Sequence, residues 1–165
     1  SGILNSYDEV NELNLLINGR VQPTFNIIFA QSSNEYYGGI EFENDHLVIV
    51  YPENTFLWGS PYFTIEALNA RVTEMDFSKY EKVILEMKGA KGGEEFFLMM
   101  KDKFDPPDGT ESRFDIKLTD SWETYEVPLS AFKTADMKII ETPLGFVFIG
   151  DQGLKIHVRS IRFQS

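Results

Sequence analysis

From residue 25 onward the chain is a succession of short β-rich runs, each cut off by glycine, proline or an Asn/Asp pair. The runs are FNIIFA (25–30), IEFE (40–43), HLVIVYP (46–52), YFTIEAL (62–68) and KVILEMKG (82–89). They continue with EEFFLMMKDKF (94–104), SRFDIKL (112–118), WETYEVPL (122–129), GFVFIG (145–150) and LKIHVRSIRF (154–163). Asn44-Asp45, Gly92-Gly93, Pro106-Pro107 and Asp108-Gly109 sit between them, where positive φ or a missing ladder donor breaks a strand. About ten such runs without helices between them rule out βαβ units and predict an antiparallel sandwich or barrel.

The alternation within the runs assigns faces. Val83, Leu85 and Met87 share one face and Ile84, Glu86 and Lys88 the other; Phe114, Ile116 and Leu118 oppose Arg113, Asp115 and Lys117. The first set of each pair is expected between two sheets. In the last run Ile156 and Val158 are even but Ile161 and Phe163 odd, which predicts a bulge near Arg159-Ser160. Before residue 21 the pattern differs. Val10, Leu13, Leu16 and Ile17 fall near one helical face, Ser6 and Glu9 make an S-x-x-E capping box, and Gly19 suits a stop, so a helix over 7–20 is expected. MDFSKYEK (75–82) has room for one helical turn.

The 165 residues suit one domain, and 42% hydrophobic content supplies a core. A net charge of −11, from 26 acidic and 15 basic residues, repels nucleic acid and anionic membranes alike. With no cysteine there are no disulfides, thiolate metal sites or cysteine nucleophiles. No apolar run reaches the length of a membrane span, and the first residues do not read as a signal peptide.

The order of signals in the second half is the specific part. A strand with a polar face (112–118) precedes W-x-x-Y-x-V-P-L-S-x-F at 122–132, then G-F-V-F-I-G, then I-x-V-R-S-I-x-F at 156–163. Over about residues 80–163 this resembles the β-sandwich carbohydrate-binding modules of jelly-roll, galactose-binding-like fold; the complex I intermediate-associated proteins share a similar W…P…F signature. The resemblance implies an all-β jelly roll, here with one short N-terminal helix: a single domain over 1–165, with a helical lead-in at 1–20 and a sandwich at 25–163. It implies that Trp122 is structural, and opposite parity then turns Tyr125 outward with Glu123 and Val127. Where the family carries an acidic pair that helps hold a structural calcium, this chain has Arg159-Ser160, and an arginine offers calcium no oxygen.

A sugar site needs an exposed aromatic to stack on and fixed polar groups for hydroxyls. Trp58 and Tyr62, in FLWGSPYF, are one candidate platform, with an edge-of-core cover for Trp58 as the alternative. Arg113 and Asp115 share a face about 7 Å apart, close enough to clasp a ring, and Glu86, Tyr125 and His157 join them if the neighbouring strands pair. The alternative is a solvated ion-pair ladder. Asn34, Tyr36 and Tyr37 form another aromatic loop, and Asp102, Asp105, Asp108 and Glu111 an acidic turn that lacks the ligand pattern of a calcium loop. Neither His46 nor His157 has metal-ligand spacing, and no catalytic motif is present. The expectation is a non-enzymatic module with no cofactor, a structural calcium being doubtful. It would bind a neutral poly- or oligosaccharide as part of a longer extracellular or cell-surface protein, engaging neither nucleic acid nor membrane. The competing expectation is a structural or protein-interaction domain on the same fold.

Overall fold

A computed structural model describes residues 11–32, 39–54, 57–66 and 73–165. In chain order its first strands are β1 (Glu12–Ile17), β2 (Arg20–Val21), β3 (Phe25–Gln31), β4 (Gly39–Phe42), β5 (Leu47–Tyr51) and β6 (Trp58–Ile65). The remainder are β7 (Lys82–Gly89), β8 (Glu95–Asp102), β9 (Arg113–Lys117), β10 (Glu123–Pro128), β11 (Ile140–Ile149) and β12 (Leu154–Gln164). They form two antiparallel sheets. One has seven strands, β10-β7-β12-β1-β2, with β5 also on β12 and β4 on β5; the other has five, β3-β6-β11-β8-β9.

The sheets face each other across a core rich in phenylalanine. Phe63, Phe146 and Phe148 of the five-stranded sheet and Phe163 of the other are fully buried, as are Phe77 and Phe132 from connecting segments. Val83, Leu85 and Met87 point inward, as do Ile116, Leu118 and the partly buried Phe114, as alternation predicts. Phe132 follows a 3-10 turn (Leu129–Ala131) and seals the core where the chain leaves β10. Residues 77–80 make one tight turn, with the Tyr80 amide donating to the Phe77 carbonyl at 3.0 Å.

The chain's expected helix is replaced by a hairpin. Glu12–Ile17 is a strand, joined to β2 by Asn18-Gly19, whose φ values of 48° and 74° are both positive. Asn-Gly is the strongest two-residue hairpin signal, since both central residues must visit positive φ. The helical periodicity has a physical origin. The β1–β12 register slips between Asn14 and Leu16, so a bulge puts Leu15 and Leu16 both in the core. An inward residue at 13 and two more at 15 and 16 break strict alternation and imitate a helical face. Ser6, Glu9 and the rest of 7–10 lie outside the described residues.

The bulge at Arg159 is present, and it organises the seven-stranded sheet. The β12–β7 register shifts between Val158 and Ser160. Below the bulge β12 pairs with β5, above it with β1, on the same edge. The Asn18-Gly19 turn fills the junction: the Gly19 amide donates to the Arg159 carbonyl at 2.9 Å, and a Cβ on Gly19 would lie 2.5 Å from the His46 backbone. Asn44-Asp45 is the tip of the β4–β5 hairpin, closed by the Glu43 amide on the His46 carbonyl.

Candidate functional site

Side chains that alternate with the core residues of the five-stranded sheet form its outer face. On β6, Phe63 and Ile65 are inward, so Trp58, Ser60, Tyr62 and Thr64 are outward. Gly59 between them is inward, where Tyr51 and Phe29 leave no space for a Cβ. Trp58 is 44% exposed and is held by its backbone: its carbonyl accepts from the Ser32 amide at 3.2 Å, and Ser32 Oγ accepts from the Leu57 amide at 2.8 Å.

Strand register extends this face into rows. Ile28, Tyr62, Gly145, Met99 and Arg113 are successive partners across all five strands. Tyr62 and Arg113 are three strand spacings apart, roughly 14 Å. Along β6, Trp58 lies about 13 Å from Tyr62, opposite Ile149 on β11. Phe97 and Asp115 are partners in the intervening row. At Gly145 the Met99 side chain lies over the backbone, in the place of a Cβ. Ile28 and Ile149 are 42% and 57% exposed, so apolar area borders the two rings.

The polar edge is fixed from beneath. Arg113 donates from Nη2 to Glu111 Oε1 at 3.3 Å, and the Glu111 side chain is only 6% exposed. The Arg113 guanidinium also lies over the Phe97 ring, 5.9 Å from its centroid. A buried carboxylate on one side and an aromatic face on the other restrict its rotamers. Asp115 beside it is exposed. In the adjoining acidic turn, burial first, opposed by Lys101 and reinforced by Glu111, Asp102 and Asp108, pushes the Asp105 carboxyl above the usual range.

Four of the expected site residues, Trp58, Tyr62, Arg113 and Asp115, therefore share one face. Glu86, Tyr125 and His157 do not join them. Glu86 on β7 and His157 on β12 point outward from the seven-stranded sheet, on the opposite side of the sandwich. The reason is pairing: β9 bonds to β8, whereas β7 bonds to β10 and β12. Tyr125 is on neither outer face. It is the register partner of Leu85 and packs with Val127 against the core, the reverse of the expected outward position.

Trp122 is likewise reversed. It lies half-buried on the outer face of the seven-stranded sheet, with the Arg159 guanidinium 4.0 Å and the Lys88 ammonium 5.1 Å from its ring centroid. His46 and His157 approach it edge-on, and their own centroids are 5.0 Å apart. Arg159 also pairs with Glu86 and, at 3.3 Å, with Asp45. A hydrogen bond from His46, with the Arg159 charge behind it, holds Asp45 below the usual carboxylate range. Burial pushes the His157 imidazole down, and His46, Lys88 and Lys155 push it further. A guanidinium between two carboxylates does not fit calcium at the Arg159 position. Among the described residues no group of three His, Asp or Glu side chains could hold a metal ion. Asn34, Tyr36 and Tyr37 lie outside the described residues.

Residues 53–165 match the family model for carbohydrate binding domain 30. A comparison with curated proteins found no match. Among solved structures, a family 29 carbohydrate-binding module carrying a Tyr→Ala mutation superposes with a TM-score of 0.65 at 9% identity, over 94% of this chain and 93% of that one. The family 11 module from Clostridium thermocellum, in complex with a β-1,3-1,4-mixed-linked tetrasaccharide, gives 0.63 at 18% identity over 92% and 94%. A family 29 module from Piromyces equi gives 0.61 at 12% identity over 94% and 90%. At these identities the structural likeness speaks for the fold.

Proposed function

The chain belongs to the carbohydrate binding domain 30 family and is a non-catalytic carbohydrate-binding module, and we propose that its glycan lies on the outer face of the five-stranded sheet. Sugar rings stack on Trp58 and Tyr62, and Arg113 and Asp115 pair with hydroxyls at the far edge. The observation that carries this is the shared face: an exposed Trp58 and a half-buried Tyr62 on β6 and a braced Arg with an open Asp on β9, joined through Gly145, over which the Met99 side chain lies. An exposed Trp58 on the face of Arg113 and Asp115 favours sugar over a scaffold role, which would have had it covered.

The neighbours support the ligand class. Structures of the family 29 module include complexes with mannohexaose and cellulohexaose, and the family 11 module holds a mixed-linkage β-glucan fragment. Tyr, Asp and Arg were among the residues replaced by Ala to probe ligand recognition in the family 29 module, the same residue types that meet here. A net charge of −11 disfavours strongly anionic glycans and nucleic acid. No helix among the described residues is long and apolar enough to cross a membrane. In this reading the module is a single domain that holds a larger extracellular protein on a neutral polysaccharide.

Affinity electrophoresis tests it. Wild type and Trp58→Ala are run through gels containing soluble β-glucan, glucomannan or galactomannan. Retardation of the wild type by one of them, lost in the variant, is expected. Migration of the wild type unaffected by every glycan would remove the reading.

A further inference from the structure

The outer face of the five-stranded sheet ends in a cavity. At one end of the sandwich the turn after β5, the β7–β8 turn and the β11–β12 loop surround a space of about 970 Å³, comparable with ligand pockets of roughly 300–1,000 Å³. One of its walls is the last row of the face. Ile149, the register partner of Trp58, lines it with the paired Glu95 and Lys117, and Val147, Phe97 and Asp115 of the row before also border it. A ring stacked on Trp58 therefore lies one strand spacing, roughly 4.8 Å, from the Ile149 rim.

The β7–β8 turn places a buried carboxylate in the cavity lining. Glu94 is 9% exposed, with Oε2 accepting from the Lys91 amide at 2.9 Å. Its other oxygen, Oε1, is buried against Gly89 and has no hydrogen-bond partner among the described residues. A Cβ at Gly89 would come within 1.9 Å of that oxygen, so the notch exists only because residue 89 is glycine. Gly92 and Gly93 hold φ of 89° each, and Gly93 opens onto free space. A buried acceptor without a donor is costly. Glu94 braces the turn from beneath, while the exposed rim offers acceptors in Glu95 and Asp115 and donors in Lys91, Lys117 and Lys155. A sugar hydroxyl is both. Among the described residues no group of carboxylates converges here as a metal ion needs.

We propose that this cavity is a subsite for a glycosyl branch, so that the module prefers a side-chain-bearing polysaccharide to its linear backbone. The inference rests on the face reading above. A main chain touching both Trp58 or Tyr62 on β6 and Arg113 or Asp115 on β9 runs across the strands, and the cavity then flanks it instead of continuing it. A substituent hanging from the unit near Ile149 enters the cavity, where the exposed Glu95, Lys91 and Lys155 of its rim pair with its hydroxyls.

Isothermal titration calorimetry with matched probes decides this. Cellohexaose is compared with a xylosylated cello-oligosaccharide of the same backbone length, and mannohexaose with a galactosylated manno-oligosaccharide. For the backbone the face accepts, the branched probe is expected to bind about tenfold tighter. Ala90→Trp and, independently, Gln152→Trp each put an indole into the cavity from an exposed lining position; either should abolish that gain and leave the linear affinity unchanged. Equal affinities of wild type for linear and branched probes overturn the branch subsite and leave the face reading intact, as does a gain that survives both substitutions. Failure of wild type to bind any of the four probes removes both. The linear affinity of each variant is its own folding control, and the wild-type comparison decides without them.

Discussion

The two outer faces of this sandwich are built on the same pleated geometry and present opposite chemistry. On the seven-stranded sheet Trp122 and the two histidines are engaged by their own protein, and Phe42 at the end of β4 is the ring left open among the described residues. Trp122 is covered by Arg159 and Lys88, the His46–His157 pair closes its edges, and Ile84 and Val48, although outward, are almost fully buried. Ion pairs continue the pattern, with Lys82 on Glu126, Arg159 on Glu86 and Arg162 near Glu12. On the five-stranded sheet Trp58, Ile28 and Ile149 are left open, and the main charged group, Arg113, is braced against Glu111 and Phe97 at the margin. An aromatic ring by itself is therefore a poor marker of a binding site. What distinguishes Trp58 from Trp122 is that, among the described residues, no cation lies on its face.

That contrast can be broken most directly by exchanging losses. Trp58→Ala should weaken glycan binding by about 2 kcal/mol, some thirtyfold, because a buried stacking aromatic is the typical hot spot, while the melting temperature stays within a degree or two. Trp122→Ala should do the reverse. It removes a half-buried ring and its cation–π contacts, lowering stability by about 2 kcal/mol with glycan affinity unaltered. Calorimetric binding and thermal denaturation on the pair of variants read both quantities. A binding loss confined to Trp122→Ala would place the site on the wrong sheet.

A smaller effect is expected at the polar edge. Arg113→Ala should cost about 1–1.5 kcal/mol of binding, the worth of a hydrogen bond or two. Glu86→Gln, at the corresponding charged position of the opposite face, should cost none. Titrating both variants with the glycan retained in the electrophoresis sharpens the contrast, since equal losses would mean that neither face is specific.

The smallest difference is in acid response. His157 has its pKa lowered by burial, so between the unfolded value of 6.5 and the lower folded value the unfolded chain holds more protons. Stability is then fully present above pH 6.5 and falls as the pH drops through that window. Thermal denaturation from pH 7.5 to 5.0 should show this slope, and His157→Gln should flatten it. Glycan affinity, measured on the folded protein in the same range, should not follow His157. A pH profile of binding that vanished in His157→Gln would couple the two faces.

Much of the fold could be read locally. The ends of β7, the inward parity of β7 and β9 and the bulge near Arg159 follow from alternation, because the pleat turns successive side chains to opposite faces whatever the strand pairs with. The N-terminal hairpin was also legible. Asn18-Gly19 is an explicit turn signal, but the β1 bulge set a helical spacing of leucines beside it, and that spacing hid the turn.

What the linear chain determined by itself was thus the all-β class, the candidate aromatics and, in β7 and β9, the side of the strand on which a residue stands. Only the tertiary structure decided which strands share a sheet, and with that which residues share a site. Arg113 and Glu86 carry equally good outward parity; they lie on opposite faces because β9 pairs with β8 and β7 with β12. Parity is a property of one strand's backbone, set by neighbours one residue away. Pairing is set by contacts between distant segments, and no local periodicity encodes it. The same holds for Trp122, which only the bulged Arg159 of a strand more than thirty residues later turns from a core ring into a clasped surface one.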